Sequence, residues 1–181
     1  MLHDELIKAA LEAGADKAAV IDISDVVVSE SFRTTCEGNQ CGNFGRNWSC
    51  PPYADGDIGE MMAEVKSYRF CMLYQIIGEL EDSFDIEGMM EAGVRLCELG
   101  QKLSGKLPEL LSSPYLHLSG SCRLCERCAR LSGEPCRHPD QAIRSISGYG
   151  IDVYNTTSVT DLKYVNGQNT VTNFGIVLFS E

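Results

Sequence analysis

Four cysteines fall within residues 120–139, "GSCRLCERCARLSGEPCRHP": Cys122, Cys125 and Cys128 recur at every third residue, and Cys136 follows after seven more. A C-x2-C step lets two sulfurs converge on one centre. Two such steps in succession wrap the chain around a corner that three metal atoms can share, the logic of the bacterial ferredoxin run C-x2-C-x2-C-x3-C-P. A mononuclear zinc site is usually built from two separated C-x2-C knuckles, which set four sulfurs at tetrahedral directions. Here the triple is present and a second knuckle is not, so the spacing tilts toward an iron–sulfur cube of the 4Fe–4S type. The departure from the ferredoxin run is at the fourth position, where Pro135 precedes Cys136 instead of following it.

A second group, "CEGNQCGNFGRNWSCPPY", carries Cys36, Cys41 and Cys50, and here Cys50 is followed by Pro51 and Pro52. In two-cluster ferredoxins the Cys-Pro ligand belongs to the other cluster. Two pairings follow. Cys50 completes the site begun by Cys122, Cys125 and Cys128 while Cys136 joins Cys36 and Cys41; or Cys122, Cys125, Cys128 and Cys136 form one site and the first loop keeps three sulfurs. Seven thiols fill one four-sulfur site and leave three, so a second centre needs a non-cysteine ligand or an open position. His138 is the spare ligand nearest in sequence, although a histidine in "RHPD" is more often an ordinary loop residue. Cys71 and Cys97 stand apart in apolar or helical contexts and read as small buried residues.

Around the first loop, Gly38, Gly42 and Gly45 can supply positive φ angles and let backbone N–H groups approach sulfur. Trp48 and Tyr53 flank Cys50, where large rings exclude water, and Arg46 can offset charge or receive an anion. Five arginines (Arg123, Arg127, Arg130, Arg137, Arg144) lie between Cys122 and Arg144 against three acids, a basic stretch suited to balancing the residual negative charge of a thiolate-bound centre. Other chemistry is thin: no G-x-S-x-G elbow, no P-loop, no G-x-G-x-x-G after a strand, and three histidines with no nucleophile pairing.

The elements that must position these thiols read as one domain over residues 1–181, an α+β fold with a mixed or antiparallel sheet and two cysteine-rich metal-binding loops, at about 36–56 and 120–139. At 181 residues, 44% apolar and 23% charged, the chain suits one sizeable core. Residues 2–13 have helical spacing with Gly14 as the stop. "KAAVIDIS" and "DVVVSESF" read as strands, 58–67 as a helix, and 68–79 as a buried central strand. Residues 85–112 form a long helical segment, interrupted in propensity by Gly93, Gly100 and Gly105 and bent or ended at Pro108. "PYLHLSG" is a short strand leading into the four-cysteine loop. Asp140–Ser147 and Ile151–Ser158 suggest two short helices, and Asn166-Gly167 predicts a closing hairpin.

A net charge of −11 argues against nucleic acid and anionic membrane as main partners. No apolar run approaches the ~20 residues that cross a bilayer. The N-terminus carries acids where a secretory signal carries bases, and an odd count of nine cysteines does not suit a disulfide framework; both suggest a cytoplasmic protein.

"CGNFGRNWSCPPY" together with "GSCRLCERCARLSGEPCRHPDQAIRSISGYGIDV" resembles a family of predicted metal-binding proteins, a domain of unknown function, through nearly the whole chain from the first helix to the final hairpin. The resemblance implies Cys36, Cys41, Cys50, Cys122, Cys125, Cys128 and Cys136 as the metal-site positions. It brings no established reaction, and the chain departs from the family pattern at "QAIRSISGYG".

The first functional expectation is an iron–sulfur protein, with one or two clusters, that carries electrons for a partner enzyme through a protein redox partner. The alternative is a zinc-stabilised adaptor without catalysis. A third is an enzyme, an iron–sulfur oxidoreductase, that binds substrate at an open cluster iron.

Overall fold

The computed structural model describes residues 1–52 and 56–181, and its core is a five-stranded mixed sheet in the order β1-β2-β5-β3-β4. The strands are β1 (Lys17–Asp22), β2 (Phe70–Glu79), β3 (Leu116–Ser119), β4 (Arg144–Ser145) and β5 (Thr170–Phe179). All pairings are antiparallel except β3 with β4. Both faces of the sheet are covered, which explains why β2 is buried along nearly its whole length. On one face Met72, Tyr74 and Ile76 join Val177 and Phe179 beneath helices α1 (Leu2–Ala13) and α4 (Ile86–Leu110). On the other, Cys71 and Leu73 join Phe174, Ile176 and Leu178 against α3 (Ile58–Ser67), Tyr149 and Ile151. The alternation follows from the two-residue period of a strand.

The strongly periodic segments form as the sequence predicts. Helix α1 stops at Gly14, whose φ of 118° lets its amide turn back to Leu11. Helix α4 runs unbroken over 25 residues through all three glycines and through Pro108, which lies in its last turn. Its buried stripe of Leu96, Leu99, Leu103 and Leu107 outweighs the glycine penalty.

Three predicted elements differ. "DVVVSESF" contributes one isolated bridge, Val28 to Ile151, and then turns into helix α2 (Ser31–Glu37), so Cys36 sits at a helix end and not in a loop. Asp140–Ser147 is not helical: Arg144 and Ser145 pair beside β3, extending the sheet at its edge. The Asn166-Gly167 hairpin does not form: β5 begins only at Thr170, and residues 161–165 belong to no strand. Of the second predicted C-terminal helix, α5 (Val153–Thr156) and one 3-10 turn form.

A polar cluster crosses the α4 face. Tyr74 Oη is 2.7 Å from His117 Nε2, and Ser104 Oγ is 2.8 Å from His117 Nδ1. Burial holds the imidazole down to about 4 from its ordinary 6.5. The unfolded chain therefore takes up a proton between those values that the folded chain refuses, and stability is lost as pH falls through that window. The loss reaches about 3 kcal/mol for a shift of this size. His117→Asn is expected to flatten this slope in urea unfolding between the two pH values; an unchanged slope in the variant would remove His117 as its source.

Candidate metal centre

The strand β3 delivers the chain into Gly120, Ser121 and Cys122, while the segment after α2 is laid across it by buried polar groups. Asn47 Nδ2 donates to Cys122 O (2.8 Å), and Ser49 Oγ accepts from Cys122 N–H (3.0 Å). Asn47 Oδ1 accepts from both Ser49 N–H and Ser49 Oγ (2.9 Å each). Further along, Trp48 Nε1 donates to Glu134 O (3.0 Å) and Ser145 N–H donates to Ser49 O (3.0 Å). These bonds join residues far apart in sequence and bring the two cysteine groups side by side. Helix α2 is placed from its own end: Ser29 N–H donates to Gly150 O (2.7 Å), and Arg33 Nη1 reaches Gly148 O (3.4 Å).

The thiols sort into two neighbouring cups. Cys122, Cys125, Cys128 and Cys136 line one, with Trp48 and His138. Cys36, Cys41 and Cys50 line the other, whose far wall carries Ser119, Ser121, Ser145 and Ser147. Ser49 stands between them, its hydroxyl on Cys122 N–H and 3.9 Å from Cys50 Sγ. None of the nine cysteines is in a disulfide. Among the described residues no group of three or more His, Cys, Asp or Glu side chains is gathered closely enough to hold a metal ion as it stands. The cysteines share walls of cups, and a cysteine has a single side-chain torsion, so closing on an ion takes rotamer changes and small backbone shifts. The donor set of thiols with one imidazole suits zinc or an iron–sulfur centre and does not suit the oxygen-seeking calcium or magnesium.

Burial pushes the Cys122 thiol above its ordinary value; a hydrogen bond from Leu124 N–H opposes this, and the nearby Cys97, Cys136 and Cys125 thiols add to it. A cation in the cup reverses the balance, because it favours thiolates over thiols.

Of the glycines expected at positive φ, Gly42 (74°) and Gly45 (69°) adopt it and Gly38 does not; Asn39 (51°) turns the chain instead, its Oδ1 accepting from Phe44 N–H. Tyr53 lies outside the described residues. Trp48 lines the four-cysteine cup with the Arg130 guanidinium 5.2 Å above its ring. Of the other arginines, Arg137 pairs with Glu134 (3.3 Å) and Arg144 Nη1 donates to Tyr149 Oη (2.6 Å). Arg46 is exposed near both groups. Cys71 is fully buried in β2, and burial alone raises its thiol. Cys97 is only half-buried and lines a cavity with Cys122 between α4 and β3.

Sequence reasoning missed Asn47 and Ser49. The short N-x-S step before Cys50 was the available signal, since Asn and Ser side chains commonly bond to nearby backbone. Ser49→Ala is expected to cost about 1 kcal/mol, because it leaves the part-buried Cys122 amide without its hydroxyl partner. Urea unfolding of the metal-free protein checks it, and a change below a few tenths would show that the strap does not depend on this hydroxyl.

The residues that build both cups lie within the stretch matched by a known family. No curated protein and no solved structure matches the chain. The family model for predicted metal-binding proteins (DUF2284) matches residues 19–179, and the chain belongs to that family.

Proposed function

We propose that the two cups hold iron–sulfur centres and that the protein carries electrons for a partner enzyme. The observation that carries this reading is the division of the seven clustered thiols into a set of four and a set of three on adjacent walls. It favours the pairing in which Cys122, Cys125, Cys128 and Cys136 serve one centre and Cys36, Cys41 and Cys50 the other. The three-thiol set offers a serine hydroxyl or an open position as its fourth corner. When bound, such centres supply one-electron chemistry, with potentials tuned by hydrogen bonds, net charge and exposure. The chain's own residues then contribute in three ways. Cysteine thiolates ligate, the buried Asn47–Ser49 pair holds the two segments in register, and Trp48 and Arg130 shield and partly balance the four-cysteine side.

A second reading, a zinc-stabilised adaptor, is favoured by His138 on the wall of the four-cysteine cup. Thiolate and imidazole together form the donor set of a closed tetrahedral zinc site. Purification without oxygen, followed by iron, acid-labile sulfide and zinc analysis, separates the two. Iron and sulfide in equal amounts with a brown absorption are expected. A colourless, folded protein with about one or two zinc ions per chain would transfer the conclusion to the adaptor reading.

A further inference from the structure

A groove of about 560 Å3 runs between the outward face of α4 and the Cys122–Leu131 segment, and its composition differs from that of the chain as a whole. Three arginines line it, Arg46, Arg123 and Arg127, against the single carboxylate of Glu126, in a protein whose net charge is −11. None of the three guanidinium groups has an ion pair with a described carboxylate. Arg123 is held in place by the helix: a Cβ at Gly93 would sit 3.1 Å from its Nε and 3.2 Å from its Nη2, so the guanidinium rests against α4 because residue 93 has no side chain.

The same groove exposes apolar side chains. Met90 and Val94, one turn apart on α4, are 53% and 42% exposed, and Leu131 is 39% exposed on the opposite wall. An exposed apolar strip in a soluble domain marks an interaction site when it is contiguous and rimmed by polar groups. Arginine and methionine are the residues enriched at protein–protein interfaces, and lysine, which is depleted there, does not line this groove. A free small anion would use the guanidinium groups and leave Met90, Val94 and Leu131 without a role. A nucleic-acid backbone would likewise pair with the guanidinium groups and leave the apolar strip of Met90, Val94 and Leu131 without a role. An acidic protein surface uses both features, its carboxylates at short range and its apolar centre on the helix. Cys122, Cys125 and Cys128 line this groove as well as the four-cysteine cup, so a partner seated here lies directly over that cup.

We infer that this groove is the docking surface for an acidic electron-carrier protein, whose carboxylates pair with Arg46, Arg123 and Arg127 around an apolar contact on Met90, Val94 and Leu131. The inference deepens the electron-transfer reading and rests on it for the kind of partner.

The test uses the full chain and an acidic flavodoxin as probe, with a basic cytochrome c as the control, by calorimetric or NMR titration. Flavodoxin is expected to bind and cytochrome c not, with affinity falling about tenfold as salt rises from about 50 to about 300 mM. The variant R46E/R123E/R127E is expected to lose flavodoxin binding by about tenfold or more. Val94→Glu, on α4 and outside the lining of both cysteine cups, is expected to weaken it similarly while leaving metal content and circular dichroism unchanged. Flavodoxin affinity in both variants unchanged from that of the wild type, or binding of cytochrome c instead, would overturn the inference. Absence of iron in the anaerobic protein would sink the electron-transfer reading by itself, whereas the titrations need no metal and judge the groove separately.

Discussion

Serine in place of Cys128 is expected to empty one cup and leave the other loaded. Cys128 lines the cup with Cys122, Cys125 and Cys136 and takes no part in the wall formed by Cys36, Cys41 and Cys50. Loss of one thiolate from a four-sulfur set therefore removes the metal of that set alone, and Cys41→Ser does the converse. Metal binding contributes directly to folding free energy, so the Cys128→Ser protein should also unfold several kcal/mol more easily than the wild type when both are compared metal-loaded, and equally when both are metal-free. Cys71→Ser is the control. It lies in the core, lines neither wall, and should keep the full metal complement while costing about 1–3 kcal/mol for a hydroxyl buried among apolar side chains. Metal and sulfide quantification on the three variants, with thermal unfolding, decides the matter. Retention of all metal by Cys128→Ser, or its loss from Cys71→Ser, would contradict the assignment of thiols to cups.

Gly175→Ala is expected to be the most disruptive single-methyl change in the sheet. Gly175 faces Tyr74 across β2 and β5, and a Cβ there would lie 1.9 Å from Tyr74 Cζ and 2.1 Å from its Oη. The ring has nowhere to move, because Tyr74 is fully buried beneath α4 with Gly100 against its hydroxyl. Overpacking of this severity costs about 3 kcal/mol or more. It also pulls Tyr74 away from His117, so the pH dependence between 6.5 and about 4 should change along with the midpoint. A double-mutant cycle with Tyr74→Leu checks the cause: the smaller side chain should recover part of the loss, giving a coupling on the order of 1–2 kcal/mol. If the two substitutions add without coupling, the clash with Tyr74 is not the source of the damage.

The contrast between these two positions shows how much a chain announces. Gly175 sits in an unremarkable "NFGIV" run, and nothing local indicates that a tyrosine a hundred residues earlier covers it. Cys128 announces itself by its spacing, yet the spacing left open whether Cys50 or Cys136 belonged beside it.

Local repetition carries information that neighbours in sequence can express, and there the reading was sound. Helices α1, α3 and α4 and strand β2 follow from their apolar patterns, and Gly14 from its place after the last helical residue. Short segments without a sustained period were misread. Asp140–Ser147 became a sheet edge because β3 offered an unpaired side, and Asn166-Gly167 did not close a hairpin, since 161–165 form no strand and β5 starts at Thr170. Contacts between residues many positions apart decided the rest. The Asn47 and Ser49 bonds to Cys122, the division of thiols between two walls, and the arginines gathered over the outer face of α4 exist only once distant segments pack. Spacing along a chain limits which side chains can approach one another; which of them share a wall depends on how the sheet is ordered and on which buried amides must find partners.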